Sequence, residues 1–388
     1  MTLTETLAHT PNLGQPSIME SMRAAARDFG KPPVEQVREL ARLCFGPGKL
    51  KPEEYFYYGL FGDRYDTGLQ RRFVGKSLEV KLHHLTCDTQ AWLIAHDKVV
   101  CYGLLESLGY PVPKTRAIYR RGASFPGLRT LGDEAALAQA LRGGMTGPLF
   151  GKPARGIRSA AALSIEGYDA DRDILRLGFG QTATVEEIVE AVERYAEDGY
   201  LLQDRIQQHP EVTKICGPAT ATARIVVLLQ GGEAEIYRTL WKIPAGDNVA
   251  DNFWRDGNCL ALLDPETGVI QRAVQGIGPA LREVDAHPTS GEHLIGFGLP
   301  HWPAARELVL SAAHAFPDLR LQAWDVAFGE DGPILVEVNV GGDFNLPQLA
   351  TGAGMLDDRF LGFLRDCAVE RGMEKDFRRL KLSQAAAG

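Results

Sequence analysis

Apolar positions recur at helical spacing through the first part of the chain and then shift to short strand-like runs. A charged amphipathic stretch over Pro33–Cys44 predicts a helix closed by Gly46-Pro47-Gly48, and the aromatic cluster Tyr55-Phe56-Tyr57-Tyr58 follows it. Thr89–Leu108 reads as one helix: Asp88 can cap it, Trp92, Leu93, Val99, Val100, Leu104, Leu105 and Leu108 supply its apolar positions, and Gly109-Tyr110-Pro111 ends it. A strand at Arg116–Tyr119 and a helix at Asp133–Leu141 come next. Strands are then expected at Leu149–Pro153, Ala160–Ile165, Ile174–Leu177 and Tyr200–Gln203, with a helix at Val185–Glu197. Ala223–Leu229, Ala234–Lys242, Cys259–Leu263 and Val269–Val274 read as successive strands joined by Gly- and Asp-containing turns. A helix at Trp302–Ala315, two strands around Gly332 and a final helix at Asp358–Arg371 complete the pattern. Strands mixed with separated helices predict an α+β fold rather than a regular βαβ array.

Composition narrows the class. Of 388 residues, 45% are hydrophobic and 24% charged, which suits a folded globular chain. At that length one core is at its practical limit, so two or three subdomains are expected. Forty-two Lys and Arg against fifty Asp and Glu leave a net charge of −8, with no global attraction to nucleic acid or an anionic membrane. No apolar run approaches the ~18 residues of a membrane helix, and Met1–Met22 lacks the core of a signal peptide. Six scattered cysteines without C-x-x-C spacing argue against zinc and a disulfide framework, and they suit the cytoplasm. Glycine is in excess at 42 residues, without a collagen period or a linker run, so many tight turns are expected.

Candidate chemistry concentrates near the C-terminus. If a hairpin turns at Asp331, Asp325 lies opposite Glu337, and like charges so placed repel unless a cation joins them. Asn339 shares the face of Glu337 because strand side chains alternate. Such hard oxygens suit Mg²⁺ completed by phosphates. An exposed hairpin with ordinary surface carboxylates is the alternative; the apolar flanks Trp324, Val326, Phe328, Leu335, Val336 and Val338 argue against it. Gly151-Lys152-Pro153-Ala154-Arg155-Gly156 offers a strand lysine beside a flexible turn, suited to phosphate or simply to a surface hairpin. Lys98 on its helix reads equally as a solvated lysine, and Gln203-Asp204-Arg205-Ile206 as a strand end able to face a planar base. The histidines lack metal-ligand spacing, and neither G-x-G-x-x-G nor the Walker pattern occurs.

Taken in order, Asp97-Lys98, Lys152-Pro-x-x-Gly, Gln203-Asp204-x-Ile206, Thr222-Ala223-Arg224, Asp251-Asn252 with Gly257, Asp325 and Glu337-x-Asn339 resemble the ATP-grasp superfamily, over about Asp97–Gln348. The local flavour is similar to glutamate-type ligases and to the sugar-transfer-associated group, which shares the feature seen here as His287-Pro288-Thr289-Ser290-Gly291. The resemblance implies two α+β subdomains clasping ATP behind an N-terminal helical extension, divided as 1–95, 96–200 and 201–388. It implies that Lys98 and Lys152 bind the α- and β-phosphates under a lid at 154–158 that includes Arg155 and Gly156. Gln203, Asp204 and Ile206 would line the adenine pocket, and Asp325, Glu337 and Asn339 would hold two Mg²⁺ ions. Arg224, Lys242 and Asn252 would face the transferred phosphoryl group.

The implied activity is ligation of a small-molecule carboxylate to an amine through an acyl phosphate, in the cytoplasm and without nucleic acid or membrane partners. A phosphotransferase on the same fold and a non-catalytic nucleotide-binding module are the alternatives. Three departures stand out. Arg158-Ser159 replaces the usual second lid glycine, Ala323 occupies a position often basic, and Val340–Asn345 lacks the usual proline-glycine close.

Overall fold

The computed structural model describes residues 17–145, 147–156 and 161–382. Arg158-Ser159 and the end of the expected lid lie outside the described residues, as does Ala160, where a strand was expected to begin.

Two antiparallel-rich sheets organise the chain. The strands are, in order, β1 (Thr115–Tyr119), β2 (Thr130–Leu131), β3 (Leu149–Pro153), β4 (Leu163–Asp169), β5 (Ile174–Leu177), β6 (Thr182–Thr184), β7 (Tyr200–Asp204), β8 (Thr222–Gln230), β9 (Glu233–Ile243), β10 (Cys259–Leu263), β11 (Ile270–Gln275), β12 (Arg282–Glu283), β13 (Leu321–Phe328) and β14 (Pro333–Val340). The first sheet runs β2-β1-β7-β3-β4-β5-β6 and the second β12-β11-β10-β9-β8-β13-β14. Because β7 pairs with both β1 and β3, the first sheet continues through Asp204, beyond the 200/201 division drawn from the sequence. The apolar run Tyr200-Leu201-Leu202 is buried throughout, which is why that strand sits centrally. The α+β class read from the pattern is the class observed.

Alternation along the strands decides what each face of the second sheet meets. Tyr237, Trp241 and Ile243 of β9 join one core with Cys259, Ala261 and Leu263 of β10 and with the helices Lys76–Thr86, Trp302–Ala313 and Asp358–Glu370. Leu240 and Leu260 point the other way, into a second core with Tyr55, Tyr57, Tyr58 and Phe61. The aromatic cluster is therefore packing between the N-terminal helices and this sheet. The first sheet has its own core, closed by the helices Glu134–Gln139 and Val185–Glu193. Among the described residues, no helix is long and apolar enough to cross a membrane.

One expected helix is broken. The stretch read as Thr89–Leu108 forms Trp92–His96 and Lys98–Ser107, with Asp97 between them at φ −91° and ψ 104°. The cause is local: the Asp97 carboxylate accepts from the Val99 and Val100 amides, at 3.0 and 3.4 Å, and so starts a new helix. Its other oxygen accepts from Arg155 Nε at 2.9 Å. The break places Lys98 in a first turn rather than mid-helix, where its ammonium can turn toward both sheets.

Asp97→Ala is expected to lower stability by about 1–2 kcal/mol, the range for losing a buried cap and its hydrogen bonds. Asp97→Asn, which keeps a capping oxygen, is expected to lose clearly less. Equal urea midpoints for Asp97→Ala and the parent would contradict a capping role.

Candidate active site

An open cleft lies between the sheets, and side chains from both line it. The second sheet supplies its charged wall through register. Asp325 pairs with Arg224 on β8 and with Glu337 on β14, while Thr222 pairs with Lys242 on β9. The facing of Asp325 and Glu337 is thus as the hairpin symmetry predicts. A bulge just beyond it leaves Val336 as an extra residue between the Asp325–Glu337 and Val326–Leu335 pairs. In a regular strand Val336 and Glu337 would face opposite sides; with the bulge both line the cleft.

Buried charges in this wall are matched by direct partners. Arg224 donates from Nε and Nη2 to the two oxygens of Asp325, at 2.8 and 2.9 Å. Lys242 Nζ reaches Asp325 at 3.0 Å and Asp251 at 3.4 Å. Asp251 also accepts from the Thr222 amide at 2.9 Å and from its hydroxyl. Burial alone would raise the Asp325 carboxyl, but the charges of Arg224 and Lys242 overcome it and hold the group below the usual carboxylate range. Asp251 goes the other way: burial raises it, and Lys242 offsets only part of that rise.

The first sheet and its neighbouring helix bring two more cations. Lys152 on β3 donates to the Tyr102 hydroxyl at 2.7 Å, and that hydroxyl donates to the carbonyl of the bulged Val336 at 2.6 Å. Lys98 Nζ donates to the Gly156 carbonyl at 3.0 Å and meets Glu337 at 3.1 Å. Burial and the nearby charge of Lys98 push the Lys152 ammonium down to about 7. A lysine so depressed is short of negative charge around it, which an anionic ligand would supply.

Of the residues singled out from the sequence, Lys98, Lys152, Gly156, Gln203, Asp204, Ile206, Lys242, Asp325 and Glu337 line this one cleft. Arg155, Arg224, Asn252 and Asn339 do not. Arg155 is drawn to Asp97, and Arg224 sits behind Asp325 with its guanidinium spent on that carboxylate. Asn252 accepts from the Trp254 amide at 3.0 Å, which holds its side chain within its own loop. Asn339 directs its amide nitrogen to the Ala323 carbonyl at 3.4 Å. Gln203 donates to the Pro113 carbonyl and Thr115 hydroxyl, and Asp204 accepts from Arg116 Nε at 2.6 Å. Sequence reasoning passed over Asp251 in favour of its neighbour. The signal available was chemical: a lysine flanked by Leu240, Trp241 and Ile243 at the buried end of β9 needs a carboxylate partner.

The donor set fits a hard divalent ion. Asp325 and Glu337 face each other on the wall with Asn339 two pairs further along the hairpin, and Mg²⁺ takes such oxygens with water and phosphate completing its shell. Among the described residues, no group of three or more His, Cys, Asp or Glu is arranged to hold a metal alone.

Two sheets facing across a cleft, with lysines from both and a carboxylate hairpin on one, define a nucleotide-clasping class of fold. The model of the sugar-transfer associated ATP-grasp family matches residues 78–360, and the chain belongs to that family. No curated protein matches the chain. Among solved structures it is similar to the D-alanine-D-alanine ligase from Coxiella burnetii, at 15% identity and TM-score 0.42, over 78% of this chain and 67% of that one. The VanG D-Ala:D-Ser ligase from Enterococcus faecalis aligns at 14% and 0.39, over 74% and 64%. The L-amino acid ligase from Bacillus licheniformis aligns at 13% and 0.38, over 71% and 48%.

Lys152 titrates below its ordinary 10.5 in the folded chain, so between pH about 7 and 10.5 the unfolded chain binds the extra proton. Stability then rises with pH across that window, by up to about 1.4 kcal/mol per pH unit from this group. Urea melts of the parent and Lys152→Met are expected to differ by an amount that grows in the parent's favour from pH 7 to pH 10. A difference that stays flat would contradict the enclosed ammonium.

Proposed function

We propose that the cleft binds ATP with Mg²⁺ and joins a small-molecule carboxylate to an amine through an acyl phosphate. The observation that carries this reading is the convergence of Lys98, Lys152 and Lys242 on one cleft whose wall also carries Asp325 and Glu337. Three cations, one from each sheet and one from the start of the helix Lys98–Ser107, suit a triphosphate, while Phe150, Pro113, Ile206 and Val336 provide an apolar slot for a flat base. Membership of an ATP-grasp family supports the same assignment.

In this reading Lys98 and Lys152 hold the phosphates, and binding them returns to Lys152 the negative charge that its surroundings lack. Asp325 and Glu337, with Asn339 beside them, are the residues that would hold Mg²⁺, which when bound neutralises phosphate charge. Arg224 acts through Asp325, fixing its two oxygens and keeping it ionised. Lys242, held between Asp251 and Asp325, faces the transferred phosphoryl group.

Chemically, a carboxylate oxygen of the acid attacks the γ-phosphorus, the bond to the bridging oxygen breaks, and ADP leaves. The amine nitrogen then attacks the acyl carbonyl, losing a proton as inorganic phosphate departs. No covalent protein nucleophile is required: the residues position the groups and balance charge.

A screen of carboxylic acids for stimulated ADP release, run with hydroxylamine, is expected to yield a hydroxamate. Asp325→Asn is expected to lower turnover about 10²-fold or more, the range for removing a preorganised electrostatic contact. Acids that stimulate ADP release yet give no hydroxamate would overturn the ligase reading. A persistent phosphate ester in their place would identify a phosphotransferase.

A further inference from the structure

The segment His287-Pro288-Thr289-Ser290-Gly291 lines no part of the cleft, yet it is built with care. The Gly291 amide donates to the His287 carbonyl at 2.9 Å, and the His287 amide donates to Glu292 at 2.8 Å, closing a compact turn. Gly291 takes φ +74°, the left-handed backbone that favours glycine. His287 itself is 2% exposed. Its Nδ1 accepts from the Ser290 amide at 3.1 Å, so the ring proton sits on Nε2, which donates to the Pro244 carbonyl at 2.9 Å. Burial lowers the ring's pKa and favours this neutral form. Two residues on, the Thr289 hydroxyl accepts from the Gly246 amide at 2.7 Å.

Pro244 and Gly246 open the loop 244–258, whose ends are joined where Ile243 pairs with Cys259. Inside the loop the buried Asn258 accepts from the Ala245 amide and donates to the Ala250 and Asn252 carbonyls, so the loop is a self-packed unit. It carries Val249, Ala250 and Asp251 into the cleft. Its far side is anchored separately: Trp254 packs on Tyr57 with ring centroids 5.4 Å apart. The loop has strong internal bonds, an aromatic anchor at Trp254, bonds from Thr222 to Asp251 and from Gln275 to the Gly257 carbonyl, and a clamp on its opening residues from the His287 turn.

We propose that His287 is a positioning residue: with Thr289 it seats loop 244–258 so that Asp251 shares the Lys242 ammonium with Asp325. Without Asp251, that ammonium would settle on Asp325 alone and move away from whatever it faces across the cleft. The seating of the loop stands on its own geometry, whereas the functional consequence rests on the nucleotide reading above.

Two substitutions separate the halves of the ring. His287→Asn keeps an acceptor for the Ser290 amide but cannot reach Pro244, whereas His287→Gln keeps a donor at the Pro244 end. Amide hydrogen exchange on the full chain is expected to rise about tenfold across residues 244–251 in His287→Asn and to stay near the parent in His287→Gln. Calorimetry with Mg²⁺ is expected to show AMP-PNP, which carries a γ-phosphate, binding about tenfold more weakly to His287→Asn, with ADP affinity nearly unchanged. His287→Gln is expected to restore the difference. A purely structural role would weaken both nucleotides together and so overturns the proposal, as does unchanged exchange in the loop. Should His287→Asn fail to fold, Thr289→Val at the exposed hydroxyl makes the same comparison, with the same outcomes deciding it. A parent protein that binds neither nucleotide defeats the nucleotide reading and the Lys242 consequence, while the exchange result still decides the clamp.

Discussion

Four charged side chains buried together at one face of one sheet, three on its strands and Asp251 on the loop after β9, impose the constraint on which the rest of this protein depends. Arg224, Lys242, Asp251 and Asp325 are each less than a tenth exposed, and ions taken out of water at that depth persist only when paired and hydrogen-bonded. The pairing is geometrically demanding. Arg224 must sit opposite Asp325 for its fork to meet both oxygens, and Lys242 must lie close enough to reach Asp325 and Asp251 together. A one-residue slip of β8 against β13 would turn Arg224 to the apolar face and leave Asp325 buried without its guanidinium. The register of the second sheet is therefore specified twice, by its hydrophobic alternation and by its charges.

From this wall the remaining elements take their places. Val336 at the bulge turns its side chain into the cleft and offers its carbonyl to Tyr102, which in turn receives Lys152 from the other sheet. One hydroxyl thus ties the charged wall to the lysine strand opposite it. Lys98 does the same from the helix start that Asp97 creates, with the Gly156 carbonyl on one side and Glu337 on the other. The cations are held apart from one another by partners of their own, an arrangement that keeps a cleft open between like charges.

The N-terminal helices contribute through support. Their aromatic cluster covers the part of the charged face that the cleft does not use, where Leu240 and Leu260 replace the ionic residues. Gln348 joins this region to the segment after the carboxylate hairpin, exchanging hydrogen bonds with the Val74 backbone and accepting no solvent contact of note. Tyr58 bonds both Gln348 and Asn345. The short run after Asn339 is thereby held at Asn345 by Tyr58, 287 positions earlier in the chain.

The sequence by itself determined the features that depend on local periodicity and symmetry. Asp325 faces Glu337 because an antiparallel hairpin maps residues equidistant from its turn onto each other, and Lys152 lies on a strand that begins with the apolar pair Leu149-Phe150. The α+β class and the order of the candidate motifs were legible for the same reason. What only the tertiary structure decided are contacts between residues far apart in the chain. Arg224 and Asp325 are separated by 101 positions and Lys242 and Asp325 by 83, so no local pattern distinguishes a cation that faces the cleft from one that serves a carboxylate behind it. The choice of Asp251 over Asn252, and the attachment of the His287 turn to Pro244, were hidden likewise. Partner choice among buried polar groups is set by which backbones the packed sheets bring within hydrogen-bond reach, and that distance is written in three dimensions.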